Sequence, residues 1–295
     1  MAKHLYIIGN GFDIFSGLNT RYSDFRNWLE CHYIFVYEAL QSAYNFPDIE
    51  WWNDFEVSLG KLDIHRFVTD NTPSNKPIET ILKDKKDKVE NLPTSLINSS
   101  TSANRLIGIF DIIHYCMKRW IESMTSITNP KYIDIVTDDS IFLSFNYTKT
   151  LELLYGIPQD DILYIHGNAF YNDKLVLGHN TNTGGQWYSY DEEKVADALD
   201  MYHKNPYEYI FKHDDFFIKI KDVQCIHIFG LSFSPVDIDY LDWIYNKTSK
   251  DAKWDVSWYY KEDKERIYNF VLEHFDLKDK LNLIKLIPVE KTRVV

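Results

Sequence analysis

Four short apolar runs in this chain end directly on a glycine, an asparagine or a histidine, and those residues carry its chemistry. His4-Leu5-Tyr6-Ile7-Ile8 breaks into Gly9-Asn10-Gly11-Phe12-Asp13. A strand followed at once by glycines lets the backbone turn sharply and set its N–H groups against a phosphate or ribose, where a Cβ would obstruct. The third glycine of the dinucleotide fingerprint is absent, and Gly17 sits too far along to replace it. The same arrangement returns where Ile141-Phe142-Leu143-Ser144-Phe145 leads into Asn146-Tyr147-Thr148. It returns again where Ile162-Leu163-Tyr164-Ile165 leads into His166-Gly167-Asn168, and where Cys225-Ile226-His227-Ile228-Phe229 leads into Gly230-Leu231-Ser232. In an open parallel sheet the carboxyl ends of the strands share one edge, so these exits would converge on one crevice.

Each residue at these exits has a chemical and a structural reading. His166 suits a general base, because an imidazole titrates near ~6.5 when unperturbed and the following glycine leaves room for a ligand. A strand-end histidine bonded to the backbone is the competing reading. Asn146 offers an acceptor and a donor to a ribose diol, but asparagine is also a common turn residue. Asp13 could bind a ribose hydroxyl, stabilise cationic charge, or cap the helix after the turn. Ser232 lies in Gly230-Leu231-Ser232-Phe233-Ser234, which is not the Gly-x-Ser-x-Gly nucleophile elbow, and reads as a ligand contact. His179 is a second strand-exit histidine, but two histidines among scattered aspartates lack zinc spacing, so no metal is predicted. His227, between Ile226 and Ile228, reads as a satisfied strand histidine. Glu56 reads as a carboxylate entering the crevice from a helical layer, or as half of a surface ion pair.

The elements that must position these residues follow from periodicity. From Tyr22 to about Asn71 the spacing of Phe25, Trp28, Leu29, Phe35, Val36, Leu40, Trp52 and Phe55 predicts amphipathic helices. Asn71 to Pro77 reads as a loop, the mixed-charge run Lys83 to Lys88 as a solvated helix face, and Asn91 to Asn104 as a polar separator. Leu106 to Ile121 is helical again. After Asp139 the chain becomes strand-rich, with further strands at Leu175-Val176-Leu177, Trp254 to Tyr260 and Leu283 to Val289. A helix over Val236 to Tyr245 would take Ser234 as its N-cap and Pro235 at its first position. Hydrophobic strands alternating with helices predict an α/β fold: a Rossmann-like, mainly parallel sheet in a single domain over 1–295, with a helical insertion at about 22–135.

Composition narrows the function classes. With 295 residues, 45% apolar and 26% charged, the chain can bury a substantial core. A net charge of −12 argues against nucleic acid, which demands clustered Lys and Arg. Cys31, Cys116 and Cys225 are widely spaced and form no Cys-x-x-Cys pair, which suits a reduced, cytoplasmic protein, with Cys225 as a small hydrophobe in its strand. The opening apolar run is too short for a signal peptide, and no stretch approaches the ~20 apolar residues of a membrane span.

Several of these strings occur together in one known family. Leu5 to Asp13, Gly17-Leu18-x-Thr20-x-Tyr22-x-Asp24-Phe25, Trp52-Asn53-Asp54-Phe55-Glu56, Phe145-Asn146-Tyr147-Thr148, Ile165-His166-Gly167 and Phe229 to Ser234 closely resemble the bacterial AbiH family of phage abortive-infection proteins. The resemblance runs nearly from end to end and implies an antiphage role. More distantly, AbiH-like sequences resemble sirtuin-like NAD-consuming defence proteins. That likeness implies that Gly9, Asn10 and Gly11, with Asp13, Thr148, Gly230 and Ser232, line a dinucleotide site. It implies that Asn146 positions the ribose or the attacking water, that His166 is the base, and that NAD is the substrate, hydrolysed at the nicotinamide–ribose bond. Thr148 departs from the sirtuin-like pattern, which usually carries an aspartate there to hold the nicotinamide amide, and there is no four-cysteine zinc module. The alternatives are a hydrolase of another nucleotide or nucleic-acid end, prompted by Thr148 and His179, and a non-enzymatic module that senses a nucleotide or binds a phage protein through its aromatic helical layer. The expected partners are a nucleotide ligand and a phage-derived trigger, with no membrane; the oligomeric state stays open.

Overall fold

A computed structural model of the chain describes residues 2–45, 47–70 and 101–290. The expected loop at Asn71–Pro77 and the charged helix at Lys83–Lys88 lie outside the described residues. The chain divides into two compact units. The first holds Met1–Thr20, Met124–Val176 and Asn205–Val295, and the second Arg21–Ser123 and Leu177–Lys204.

The first unit is an α/β, Rossmann-like fold around one all-parallel six-stranded sheet. Its strands are β1 (His4–Ile8), β2 (Ser140–Ser144), β3 (Ile162–Tyr164), β4 (Cys225–Phe229), β5 (Lys253–Ser257) and β6 (Leu281–Ile284). They run in the order β3-β2-β1-β4-β5-β6. Both faces of β1 are buried, Leu5 and Ile7 in one apolar cluster and Tyr6 and Ile8 in the other. That double burial explains why the run is apolar throughout rather than alternating. The chain builds outward from β1 through β2 to β3, then returns to place β4 on the other side of β1. The reversal between β1 and β4 is the topological switch point, where ligands of such sheets bind outside the strands' carboxyl ends.

Several boundaries differ from the sequence expectation. Leu175-Val176-Leu177 forms no strand; three residues without a neighbouring strand have no ladder to join. The helix after β4 starts at Ile238, not Val236, with Asp237 as its N-cap residue. The Asp237 N–H donates to Ser234 O at 2.9 Å, so Ser234 opens a turn rather than a helix. The final apolar run contributes only Leu281–Ile284 to the sheet, and Val289 makes an isolated antiparallel bridge to Tyr132.

The second unit is helical. It contains the helices Tyr22–His32, Ile34–Ala43, Ile49–Asn53, Phe55–Leu59, Ile64–Asp70, Ser102–Glu122 and Tyr190–Asp200. Thr101 caps the longest of these by accepting from Asn104 N–H, and Leu106, Ile109, Phe110, Ile113, Met117 and Trp120 form its buried stripe. The aromatic richness is spent on packing here: Phe25 lies 5.1 Å from Trp120, and Trp52 stacks on Phe55 at 5.2 Å, ring centre to ring centre. Tyr202 ties the return segment to the long helix, stacking on Phe110 at 4.2 Å and donating to Asp111 Oδ1 at 3.0 Å. Among the described residues no helix is long and apolar enough to cross a membrane.

Candidate functional site

The carboxyl edge of the sheet is built by backbone packed on backbone. Gly9 donates its N–H to Phe229 O at 3.0 Å, and Gly11 donates to Gly230 O at 2.8 Å. Gly230 has φ +70°, and a Cβ there would stand 2.0 Å from the Phe12 nitrogen. A Cβ on Gly9 would meet Leu231 Cα at 2.6 Å, and one on Gly11 would meet Gly230 Cα at 2.8 Å. The three glycines therefore let the β1 and β4 exits touch at the switch point. From the end of β5, the Ser257 hydroxyl accepts the Gly230 N–H at 2.8 Å. Two amides of the glycine turn are thus held by protein carbonyls. The Asn10 N–H is the one that no protein carbonyl takes among the described residues.

Asn146 and Asp13 join β2 to this turn. Asn146 is buried and donates its side-chain amide to Gly9 O at 3.0 Å. Asp13 belongs to the helix α1 (Asn10–Ser16) and is fully buried. Thr148 Oγ1 donates to Asp13 Oδ2 at 2.6 Å and lies 3.0 Å from Thr150 Oγ1. Burial pushes the Asp13 carboxyl up to about 6; Thr148, Thr150 and Asn146 favour its charged form, and the nearby Glu152 charge opposes it. Asn168, past β3, donates to Thr148 O at 3.0 Å and so fixes the β2 and β3 exits to one another.

His166 reaches across this edge. It follows β3, yet its ring lies 5.2 Å from Phe145 at the β2 exit and 5.8 Å from Tyr240 in the chain after β4. Its Nε2 is 3.7 Å from Asp237 Oδ1, an ion-pair separation rather than a hydrogen bond. His166 is 2% exposed. Gly167, at φ +79°, does not leave room for a ligand as its type suggested. The space its missing Cβ leaves is occupied by Lys174 O, which would stand 2.8 Å from that Cβ. Ser232 is exposed in the segment after Gly230.

Gly9, Asn10, Gly11, Asp13, Asn146, Thr148 and Gly230 thus share one edge, and His166 follows the β3 exit beside Phe145 and Asp237. Glu56 and His179 belong to the second unit. Glu56 forms an ion pair with Lys204 and accepts from the Tyr22 hydroxyl. The pair is buried, with side-chain exposures of 1% for Lys204 and 10% for Glu56, so the surface reading fails. His179 spends both nitrogens on backbone: Nδ1 accepts from Thr181 N–H at 3.2 Å, which leaves Nε2 to donate to Leu199 O at 3.1 Å. Burial lowers its pKa.

Sequence reading missed Asp237, Tyr240, Thr150 and Ser257. Thr150 follows Thr148 by two residues and could have been suspected from that spacing. Asp237 was hidden inside an expected helix interior, and the true N-cap position is what frees its side chain to face His166.

The family described as "AbiH: Bacteriophage abortive infection AbiH" matches residues 5–258, a span that takes in every residue of this edge. No curated protein matches the chain.

Proposed function

Because the chain belongs to the AbiH family of bacteriophage abortive-infection proteins, we propose that it acts in antiphage defence by binding a nucleotide at the β1/β4 switch point and hydrolysing NAD at the nicotinamide–ribose bond. The observation that carries this reading is the placement of His166. Its imidazole follows β3, packs on Phe145 at the β2 exit and faces Asp237 in the chain after β4. A histidine beside a carboxylate is the arrangement of a base and the group that orients it.

In the proposed step the C1′–N bond of the nicotinamide riboside breaks and its electron pair goes to the ring nitrogen, releasing neutral nicotinamide. Water adds its oxygen to C1′, and His166 takes its proton, giving ADP-ribose and one proton overall. Asp13 supplies negative charge toward the ribosyl cation, and the Asn10 N–H is the turn amide left for a phosphate. The Thr148–Asp13 bond bears on the sirtuin-like comparison. An aspartate at 148 would set two carboxylates together, and one would have to stay protonated. Threonine instead donates a hydrogen bond to Asp13 without adding a second carboxylate.

A second reading, nucleotide sensing without turnover, is favoured by the burial of His166. Incubating the purified full chain with NAD and resolving nicotinamide and ADP-ribose by chromatography separates the two. Release by wild type, lost in Asn146→Ala and His166→Ala, supports the hydrolase. Calorimetric NAD binding with no release at high protein concentration overturns it in favour of sensing.

A further inference from the structure

At the amino ends of the strands, on the sheet face that carries Tyr6 and Ile8, polar side chains form a line across four strands. His4 of β1 is in register with Cys225 of β4, His227 of β4 with Asp255 of β5, and Asp255 with Asn282 of β6. His4 Nδ1 lies 3.0 Å from His227 Nε2. His227 Nδ1 lies 3.1 Å from Asp255 Oδ2, and Asn282 Nδ2 donates to Asp255 Oδ1 at 3.0 Å. The ligating atoms of His4, Cys225 and His227 all lie within 4.8 Å of one another, and all three residues are half-buried. His227 is the satisfied strand histidine expected, with its partners on the neighbouring strands and Cys225 beside them.

The hydrogen bonds fix the chemistry of the cluster. Asp255, held by Asn282, takes the Nδ1–H of His227 and so leaves Nε2 with its lone pair turned toward His4 Nδ1. Tyr6 stacks on the His227 ring at 4.5 Å and holds it in place. A lone pair pointed at a second imidazole nitrogen at contact distance calls for a proton or a cation between them. The thiol beside the pair makes the set two nitrogens and a sulfur, the donors that zinc prefers.

We propose that His4 Nδ1, His227 Nε2 and Cys225 Sγ bind a zinc ion, with Asp255 orienting His227 behind it. Zn–N bonds of ~2.0–2.1 Å in a tetrahedron set the nitrogens about 3.3 Å apart, so the pair widens slightly and the Cys225 thiolate swings in. The fourth position is left to water. The ion would clasp the two central strands at the end opposite the glycine exits, about 17 Å from Gly9 at ~3.3 Å per strand residue. It is thus independent of the proposed hydrolysis.

The test is a titration of the tag-free full chain with Co²⁺ and then Zn²⁺, read by absorption and by metal content after dialysis. Wild type should take up one equivalent of cobalt with a thiolate-to-cobalt charge-transfer band, which zinc then displaces. Cys225→Ser should lose the band and His227→Gln the tight uptake, while Asp255→Asn should bind about 10–100-fold more weakly. The wild-type spectrum reads the site even where a variant fails to fold. Absence of the band in wild type would overturn the proposal and leave a hydrogen-bonded histidine pair; so would a band that survives in Cys225→Ser.

Discussion

Thr148 gives its hydroxyl proton to Asp13 across the gap between the β2 exit and helix α1, at 2.6 Å, inside a fully buried pocket. This bond determines how the edge responds to pH. Three polar neighbours favour the charged carboxylate, yet desolvation wins and the group titrates near 6 instead of 3.8. A carboxyl held above its unfolded value binds its proton more tightly when folded, so its ionisation opposes folding.

The pH dependence of stability follows. The contribution of Asp13 is neutral below about pH 4, becomes unfavourable as pH rises toward 6, and reaches a plateau of about 2–3 kcal/mol above that. Asp13→Asn keeps an acceptor for Thr148 and removes the charge. The variant should melt higher than wild type at about pH 8 and equally near about pH 4. Thermal scans across this range check it, and parallel pH curves for the two proteins would remove Asp13 from the account.

Thr148→Val keeps the shape and deletes the donor. It should cost about 1–3 kcal/mol in denaturant unfolding at neutral pH, because it leaves Asp13 Oδ2 without its partner. Thr148→Ser should retain most of that. Equal midpoints for the valine and serine variants would show that the bond contributes nothing.

The glycine contact at the switch point can be separated from backbone strain. Gly230 and Gly156 both have left-handed φ, +70° and +66°, but a Cβ at Gly156 meets nothing within 4 Å while one at Gly230 meets the Phe12 nitrogen at 2.0 Å. Gly156→Ala should cost about 1 kcal/mol from strain alone. Gly230→Ala should cost more than ~3 kcal/mol, because the β1 and β4 exits must part. Comparable losses in urea titrations would mean that the exits are not held in contact in solution.

In the second unit, Glu56→Leu should destabilise by about 3–5 kcal/mol, since it removes the carboxylate paired with the buried Lys204 ammonium. Adding Lys204→Met should recover most of that loss. A double-substitution cycle by chemical denaturation measures the coupling, and additive losses would place Lys204 in water rather than against Glu56.

The parallel sheet was legible because β1, β2 and β4 place apolar residues on both faces and so read as largely apolar runs ending at glycine or asparagine. The glycine turn was legible as a tight turn, but the sequence could not say what fills the space at Gly9 and Gly11. That space holds the chain leaving β4, a tertiary neighbour more than two hundred residues away. Asp237 was illegible for a local reason: a hydrogen bond from its N–H to Ser234 O delays the helix and turns an expected interior residue into a cap. Cys225 and His227 read as core because their strand neighbours are isoleucines. Their polar partners, His4, Asp255 and Asn282, lie on three other strands.

The role of His166 rests on its separation from binding. If the imidazole accepts the proton of the attacking water, His166→Gln should lower NAD turnover by about 100-fold or more, while calorimetric NAD affinity stays within a few-fold. Asp237→Asn should lower turnover less and leave affinity intact as well, because that carboxylate faces the ring at 3.7 Å and acts through it. Asn146→Ala should weaken binding together with turnover, because its amide holds the Gly9 carbonyl and so the turn itself. Loss of affinity in His166→Gln equal to the loss of rate would make the histidine a binding residue. Turnover unchanged in both His166→Gln and Asp237→Asn would remove the pair from the chemistry.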